Sequence, residues 1–372
     1  MSRSLVHHFI RRAIDWFFRV SAVERYLITG AFGVIITVFG GPPFFAIILR
    51  LLFDSVPEEY LAAIQAVNDV EQQILIICGG VIGVALCIIV WRLAVEYRSR
   101  SRKRVIVVEG RGLRDDDGSP LVDAISQSIS GQRIPLLLDL RNRMDGGVIE
   151  PERAVAEIVA NRRSLIQHIS TLDRTDVVIV YGGLTPVPYT FLTGVLFDDE
   201  GRVETYDWDR SREAWRVLDE EDDQARFNIS GIEELKECAD VVLALSYSYF
   251  VESRDLDTTF SCQVVRLTLD GLSSDAHWSG DKQNRLAQQF LEIVKQISAK
   301  GIRRIHLVMA APNSVVFTFG RRYDKRNLPE VVVYQYERGS APAYPWGVLM
   351  PVGGVSEPQI VCAHCLADSS VH

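Results

Sequence analysis

Hydrophobic and polar positions divide this 372-residue chain into two parts. Residues 26–49 and 72–91 contain no charged side chain and show no polar face. A hydrocarbon core about 30 Å thick needs about 20 apolar residues in a helix, and a surface helix of a soluble domain keeps a polar stripe. The pattern predicts two transmembrane helices, at about 26–50 and 74–95, with the chain beyond residue 104 outside the bilayer. Before them, Leu5, Phe9, Ile14, Trp16, Phe17 and Phe18 interleave with Arg11, Arg12 and Arg19. Residues 5–20 therefore read as an interfacial amphipathic helix at the headgroup level, within an N-terminal segment 1–25.

Beyond residue 104 the period changes. Short β-branched runs at 105–108, 134–138, 177–181, 241–245, 263–269, 303–309 and 331–336 read as strands. Residues 151–172 repeat Ala154, Ile158, Leu165 and Ile169 at helical spacing. Residues 281–299 do the same with Leu286, Phe290, Ile293, Val294 and Ile297. Strands alternating with helices predict an α/β fold with parallel, doubly wound sheets. Asp-Val-Val occurs at 176–178 and again at 240–242, a hint of two related halves, 105–230 and 231–350, followed by a tail, 351–372.

Charge sets the orientation. Arg3, Arg11, Arg12, Arg19 and Arg25 precede the first span; Arg92, Arg98, Arg100, Arg102, Lys103 and Arg104 close the second. The linker carries Asp54, Glu58, Glu59, Asp69 and Glu71 and no base, so the positive-inside rule places both termini in the cytoplasm. A signal peptide is the competing reading of the first span, but its apolar stretch is too long and a second span follows. The remaining 268 residues hold 28 Lys and Arg against 40 Asp and Glu, a net charge of −12. Such a surface does not favour long nucleic acid, though a local basic pocket would still suit a small anion. The acidic runs 115–117 and 219–223 read as solvated loops.

Small residues mark the spans. Gly79 and Gly83, and Gly33, Thr37 and Gly41, recur at four-residue spacing, which lets helix backbones approach closely in lipid. Gly40-Gly41-Pro42-Pro43 should kink or break the first helix. Of the six cysteines, Cys78 and Cys87 lie in the second span and Cys362-Ala363-His364-Cys365 lies in the tail. One Cys-x-x-Cys without a second pair reads as reduced thiols in a tail rather than zinc.

Open α/β sheets bind ligands beyond the carboxyl ends of their strands. Three such ends carry conspicuous loops, at 182–186, 246–249 and 311–314. Candidate ligand contacts are Gly183, Thr185, Ser246, Tyr247, Asn313 and Ser314, the last two at a helix N-terminus that suits phosphate. Lys282, Arg321 and Arg322 are candidate positive charges, and Trp278 a candidate stacking ring. Turn residues, a helix cap, solvated bases and core packing account for the same positions equally well. No Walker A, dinucleotide, nucleophile-elbow or His-Glu-x-x-His pattern is present. No catalytic residue, metal site or cofactor is expected.

His277-Trp278, the helix at 281–299, Ile305-His306-Leu307 running into Ala310-Ala311-Pro312, Gly320 and the strand 331–337 follow in an order similar to that of a SAVED domain. SAVED domains are the sensor modules of bacterial CBASS anti-phage effectors, and the two preceding spans resemble those of two-span SAVED effectors. The resemblance implies paired CARF-like Rossmann units that bind a cyclic di- or trinucleotide made by a partner nucleotidyltransferase. It further implies ligand-induced homo-oligomerisation and disruption of the inner-membrane lipids by the hairpin, killing the infected cell. No enzyme activity is implied. Two alternatives stay open: a membrane-anchored Rossmann-type enzyme acting on a nucleotide or nucleotide-sugar, with Asp207-Trp208-Asp209 as its carboxylate pair, and a membrane adaptor for a protein partner.

Overall fold

The computed structural model describes residues 102–363 except 114–118, 142–148, 171, 199–200, 237 and 324–325, together with 83–85, 87–92 and 94–95. The chain forms two compact units, residues 1–99 and 100–372. In the first unit the described residues are helical, and Val84, Ile88, Val90, Trp91 and Val95 expose apolar side chains. Among the described residues no helix is long and apolar enough to cross a membrane. The interfacial helix, the first span, the acidic linker, much of the second span, the 115–117 run and Cys365 lie outside the described residues.

The second unit begins with β1 (Arg104–Arg111), α1 (Leu121–Ala124), β2 (Gln132–Asp139), α2 (Pro151–Ile169), β3 (Val177–Leu184), α3 (Val187–Leu196), β4 (Arg202–Asp209) and β5 (Ala214–Val217). A connector strand, β6 (Phe227–Ser230), follows. Then come β7 (Asp240–Ser246), α4 (Ser253–Asp257), β8 (Val264–Leu269), α5 (Gly280–Ala299), β9 (Arg304–Ala310), α6 (Asn313–Arg322), β10 (Glu330–Gln335), β11 (Trp346–Leu349) and β12 (Gln359–Cys362).

One sheet runs β2-β1-β3-β4-β5 and the other β12-β11-β10-β9-β7-β8-β6. The same sequence of elements has thus been laid down twice. β1 to β5 correspond to β7 to β11, and α1, α2 and α3 to α4, α5 and α6. The sheets are mixed rather than wholly parallel. β1, β2, β3 and β4 pair in parallel, as do β7, β8, β9 and β10, while β5, β6, β11 and β12 add antiparallel edges.

Helices on both faces require the central strands to be apolar on both sides. Val105–Val108 in β1 and Val241–Leu245 in β7 are accordingly buried at every position. α5 keeps one apolar stripe, Leu286, Phe290, Ile293, Val294 and Ile297, against the second sheet, and the Ser279 side chain accepts the Lys282 N–H at its start. α3 differs: from Pro188 to Leu196 every residue is buried. A helix with no polar face belongs inside a core, and α3 lies between the two halves.

The Asp-Val-Val pair is not the repeat. Asp176 leads into β3, the third strand of its half, whereas Asp240 opens β7, the first of the other. The repeat is carried by Pro186, Phe191 and Gly194, which correspond to Pro312, Phe317 and Gly320 at a constant offset.

Candidate ligand-binding site

Strand-loop-proline-helix is the local grammar at both centres of this unit. Pro186 precedes α3 after β3, and Pro312 precedes α6 after β9. Proline suits the start of a helix because its fixed φ is already helical and its missing donor would find no partner there. The two helices cross at Gly194 and Gly320. A Cβ on Gly194 would fall on the Phe317 carbonyl oxygen, and one on Gly320 on the Phe191 carbonyl oxygen. The absence of both side chains lets the backbones touch. Tyr181 of β3 stacks on Phe317 of α6, ring centroids 3.7 Å apart at 11°.

The halves also exchange caps. The Ser314 N–H at the start of α6 donates to Asp207 Oδ2 of β4 (3.0 Å), and the Val187 N–H at the start of α3 donates to Gln335 Oε1 of β10 (3.2 Å). Asp207 and Gln335 are equivalent: each lies two residues past the partner of Tyr181 or of its counterpart Leu307. The cap sits one residue earlier on α3 because the counterpart of Ser314 is Pro188, which has no N–H.

A polar network extends from these caps. Thr190 Oγ1 lies 2.7 Å from Thr185 Oγ1 and 2.7 Å from Asn313 Oδ1. The Gln283 amide donates to His277 O (2.7 Å) and to Ser314 Oγ (2.9 Å), and accepts from Thr318 Oγ1 (3.1 Å). His277 Nε2 lies 3.6 Å from Asp207 Oδ2, while its Nδ1 is buried without a hydrogen-bond partner. Burial holds His277 below the ordinary imidazole range, against the pull of the Asp207 carboxylate.

Thr185, Asn313 and Ser314 are thus brought together, but as internal clasps. The start of α6, read as a phosphate seat, already holds a carboxylate. Gly183 is explained by packing, since a Cβ there would lie 2.5 Å from the Tyr181 hydroxyl oxygen. It also belongs to β3, which runs through Leu184 where a loop was expected. Arg321 and Arg322 stand at the far end of α6. Arg321 Nε donates to Phe197 O and an Arg322 N–H donates to Asn284 Oδ1, where cations complement the helix dipole.

The carboxyl edge of the second sheet holds the other candidates. Ser246 Oγ accepts the Val251 N–H and Tyr247 OH donates to Ala276 O, so both are buried supports. The exposed members of this loop are Tyr249 and Phe250, at 64% and 47%, with the Arg266 guanidinium 5.3 Å from the Phe250 ring centre. Trp278 is buried and its ring carries the Arg216 guanidinium at 4.6 Å. Lys282 is buried and its Nζ lies 2.6 Å from Asp223 Oδ2.

The 219–223 run is a solvent-exposed loop, as expected, but its side chains are paired rather than free. Arg216 pairs with Glu220 (2.7 Å) and Asp219 (3.5 Å), and Arg285 grips Asp222 through two bonds of 2.7 Å. The Arg285 bonds hold Asp222 below the ordinary carboxylate range. Asp223, despite a desolvation that opposes it, is also held low by Lys282. The carboxylates of the alternative metal reading are likewise committed. Asp207 caps α6, and Asp209 Oδ1 accepts from Ser211 and Arg212 in the β4–β5 turn. On the first sheet, Arg111 pairs with Glu109 and Arg141 with Asp139.

Residues 156–350 match the SAVED family, the SMODS-associated and fused to various effectors sensor domain. Residues 3–155 match Saf_2TM, the SAVED-fused 2TM effector domain. The chain belongs to the SAVED family. The two matches meet inside α2, so the Saf_2TM match takes in β1 and β2, which are strands of the first sheet.

Among solved structures, this chain is similar to the Acinetobacter baumannii Cap4 SAVED/CARF-domain containing receptor with the cyclic trinucleotide 2'3'3'-cAAA. The TM-score is 0.46 at 11% identity, covering 77% of this chain and 61% of that one. The same receptor with 3'3'3'-cAAA gives 0.46 at 12%, covering 76% and 60%. The Moraxella osloensis Cap4 receptor gives 0.41 at 13%, covering 66% and 50%. This chain therefore spans about three fifths of the Acinetobacter receptor. No curated protein matches the sequence.

Asp207, His277, Gln335, Tyr249, Phe250 and the crossing glycines were not singled out from the SAVED sequence as ligand contacts. The recoverable signal was Pro-x7-Gly at 186/194 and 312/320, with Phe at 191 and 317.

Proposed function

We propose that this chain is a membrane-anchored sensor-effector whose SAVED unit binds a cyclic di- or trinucleotide and acts through its N-terminal hairpin without turnover. The observation that carries this reading is the convergence of both sheets' carboxyl edges on the α3–α6 seam, where β4 and β10 exchange caps. Ligands of open α/β sheets lie beyond those edges. A cyclic ligand with several phosphates and bases would reach both halves at once. Tyr249 and Phe250 offer exposed faces for stacking, and arginines stand on both edges.

Ligand binding drives assembly of sensors, which gathers two spans per subunit in one patch of the inner membrane. The apolar side chains exposed on residues 83–95 are the surface that lipid or another span would cover. Both termini are cytoplasmic in this account, and a nucleotidyltransferase supplies the messenger. The test is dye release from liposomes carrying the full chain. One cyclic species triggers release where linear dinucleotides do not; no release with any cyclic species removes the effector part of the reading.

A further inference from the structure

Arg216 of β5, and Lys282 and Arg285 in the first turns of α5, each pair with an acidic side chain of the exposed segment that joins the halves, and Trp278 lies beside them. Arg216, Lys282 and Arg285 face Glu220, Asp223 and Asp222. Lys282 is 2% exposed, an unusual burial for a lysine, although its partner Asp223 has a side chain 56% exposed. Trp278 lies under Arg216, and the His277 ring packs on Trp278 at 4.3 Å with its Nδ1 buried and unpartnered.

The segment is seated by backbone as well as charge. The Glu220 N–H donates to Trp278 O (2.9 Å), and Asp219 bridges to Ser279. Remove its carboxylates and what remains is a cationic, partly aromatic bed beside a helix N-terminus, the chemistry that recognises phosphate esters. A structural ion pair needs neither a buried lysine nor an indole behind it.

We propose that residues 219–223 are a tethered anion occupying a phosphate-binding bed of Arg216, Lys282 and Arg285, and that a phosphate-bearing ligand takes the bed by displacing them. The proposal rests on the sensor reading only for the identity of that ligand. Displacement frees the connector between the halves, so occupancy at the second sheet is transmitted along the chain joining it to the first.

The test uses the full chain in phosphatidylcholine nanodiscs with pyrophosphate as the probe, so that no net-anionic lipid headgroup competes. Asp222→Asn with Asp223→Asn raises pyrophosphate affinity roughly tenfold or more, because the competing charge is gone. Adding Lys282→Gln to that pair removes the gain. In the unmodified chain, pyrophosphate speeds amide exchange at Glu220, Gln224 and Ala225 while β7 and β9 stay protected. Unchanged affinity in the Asn pair, or no exchange response in the unmodified chain, overturns the proposal. A cyclic nucleotide panel run alongside separates the two readings. Pyrophosphate displacement without cyclic-nucleotide binding keeps the tethered anion and discards the messenger; repeating with phosphatidylglycerol nanodiscs tells a lipid headgroup from a soluble phosphate.

Discussion

Gly194 and Gly320 face each other where α3 crosses α6, and each leaves room for the carbonyl three residues before the other. In an ordinary helix interior Gly→Ala stabilises by about 1 kcal/mol. Here the added methyl meets backbone that has nowhere to move. Gly194→Ala and Gly320→Ala are each expected to destabilise by about 1–3 kcal/mol. The double variant should cost less than the two together, because the first has already forced the helices apart. Urea denaturation checks both the sign and the non-additivity.

Asp207 and Gln335 hold equivalent positions but carry different charge. Asp207→Ala leaves the start of α6 uncapped and is expected to cost about 1–2 kcal/mol. Gln335→Ala, which removes a neutral acceptor from α3, should cost about 0.5–1 kcal/mol. Equal costs measured by denaturation would mean that the carboxylate adds nothing beyond its geometry.

His277 makes stability depend on pH. Burial lowers its folded-state pKa, against the pull of Asp207 and Asp275 and with the repulsion of Arg216. The unfolded state therefore binds a proton first, and stability rises with pH over the window below the ordinary imidazole value of about 6.5. The contribution is fully present above that value and is lost as pH falls toward the folded-state pKa. Midpoints measured from pH 7.5 down to 5 should fall, and His277→Gln should flatten that slope while the carboxylate titrations at lower pH remain.

Tyr249 and Phe250 are exposed and make little of the fold. Replacing either with Ala should leave the denaturation midpoint within experimental scatter. If they stack bases, ligand affinity falls about tenfold per ring. A loss of stability together with affinity would assign them to the fold instead.

Most of the second unit's strands were legible because a sheet covered on both faces needs unbroken apolar runs, as at 105–108 and 241–245. The α5 stripe was legible for the complementary reason, its one polar face. α3 was not. Buried all round, with a proline, two threonines and a glycine in ten residues, it shows no period and resembles a loop. β4 was hidden because Asp207 and Asp209 interrupt it with charge that serves other elements. The site was the least legible part. Asp207 and Ser314 are 107 residues apart, and nothing local to either announces the other. The pairing of the exposed acidic run at 219–223 was hidden for the same reason: its partners Lys282 and Arg285 are some 60 residues further along.

The central claim is that this SAVED unit receives a cyclic oligonucleotide. The direct measurement is calorimetric titration of the full chain in nanodiscs with a panel of cyclic di- and trinucleotides. The account predicts submicromolar binding of one cyclic species, with its linear counterpart bound far more weakly. A folded protein that binds no member of the panel would contradict it.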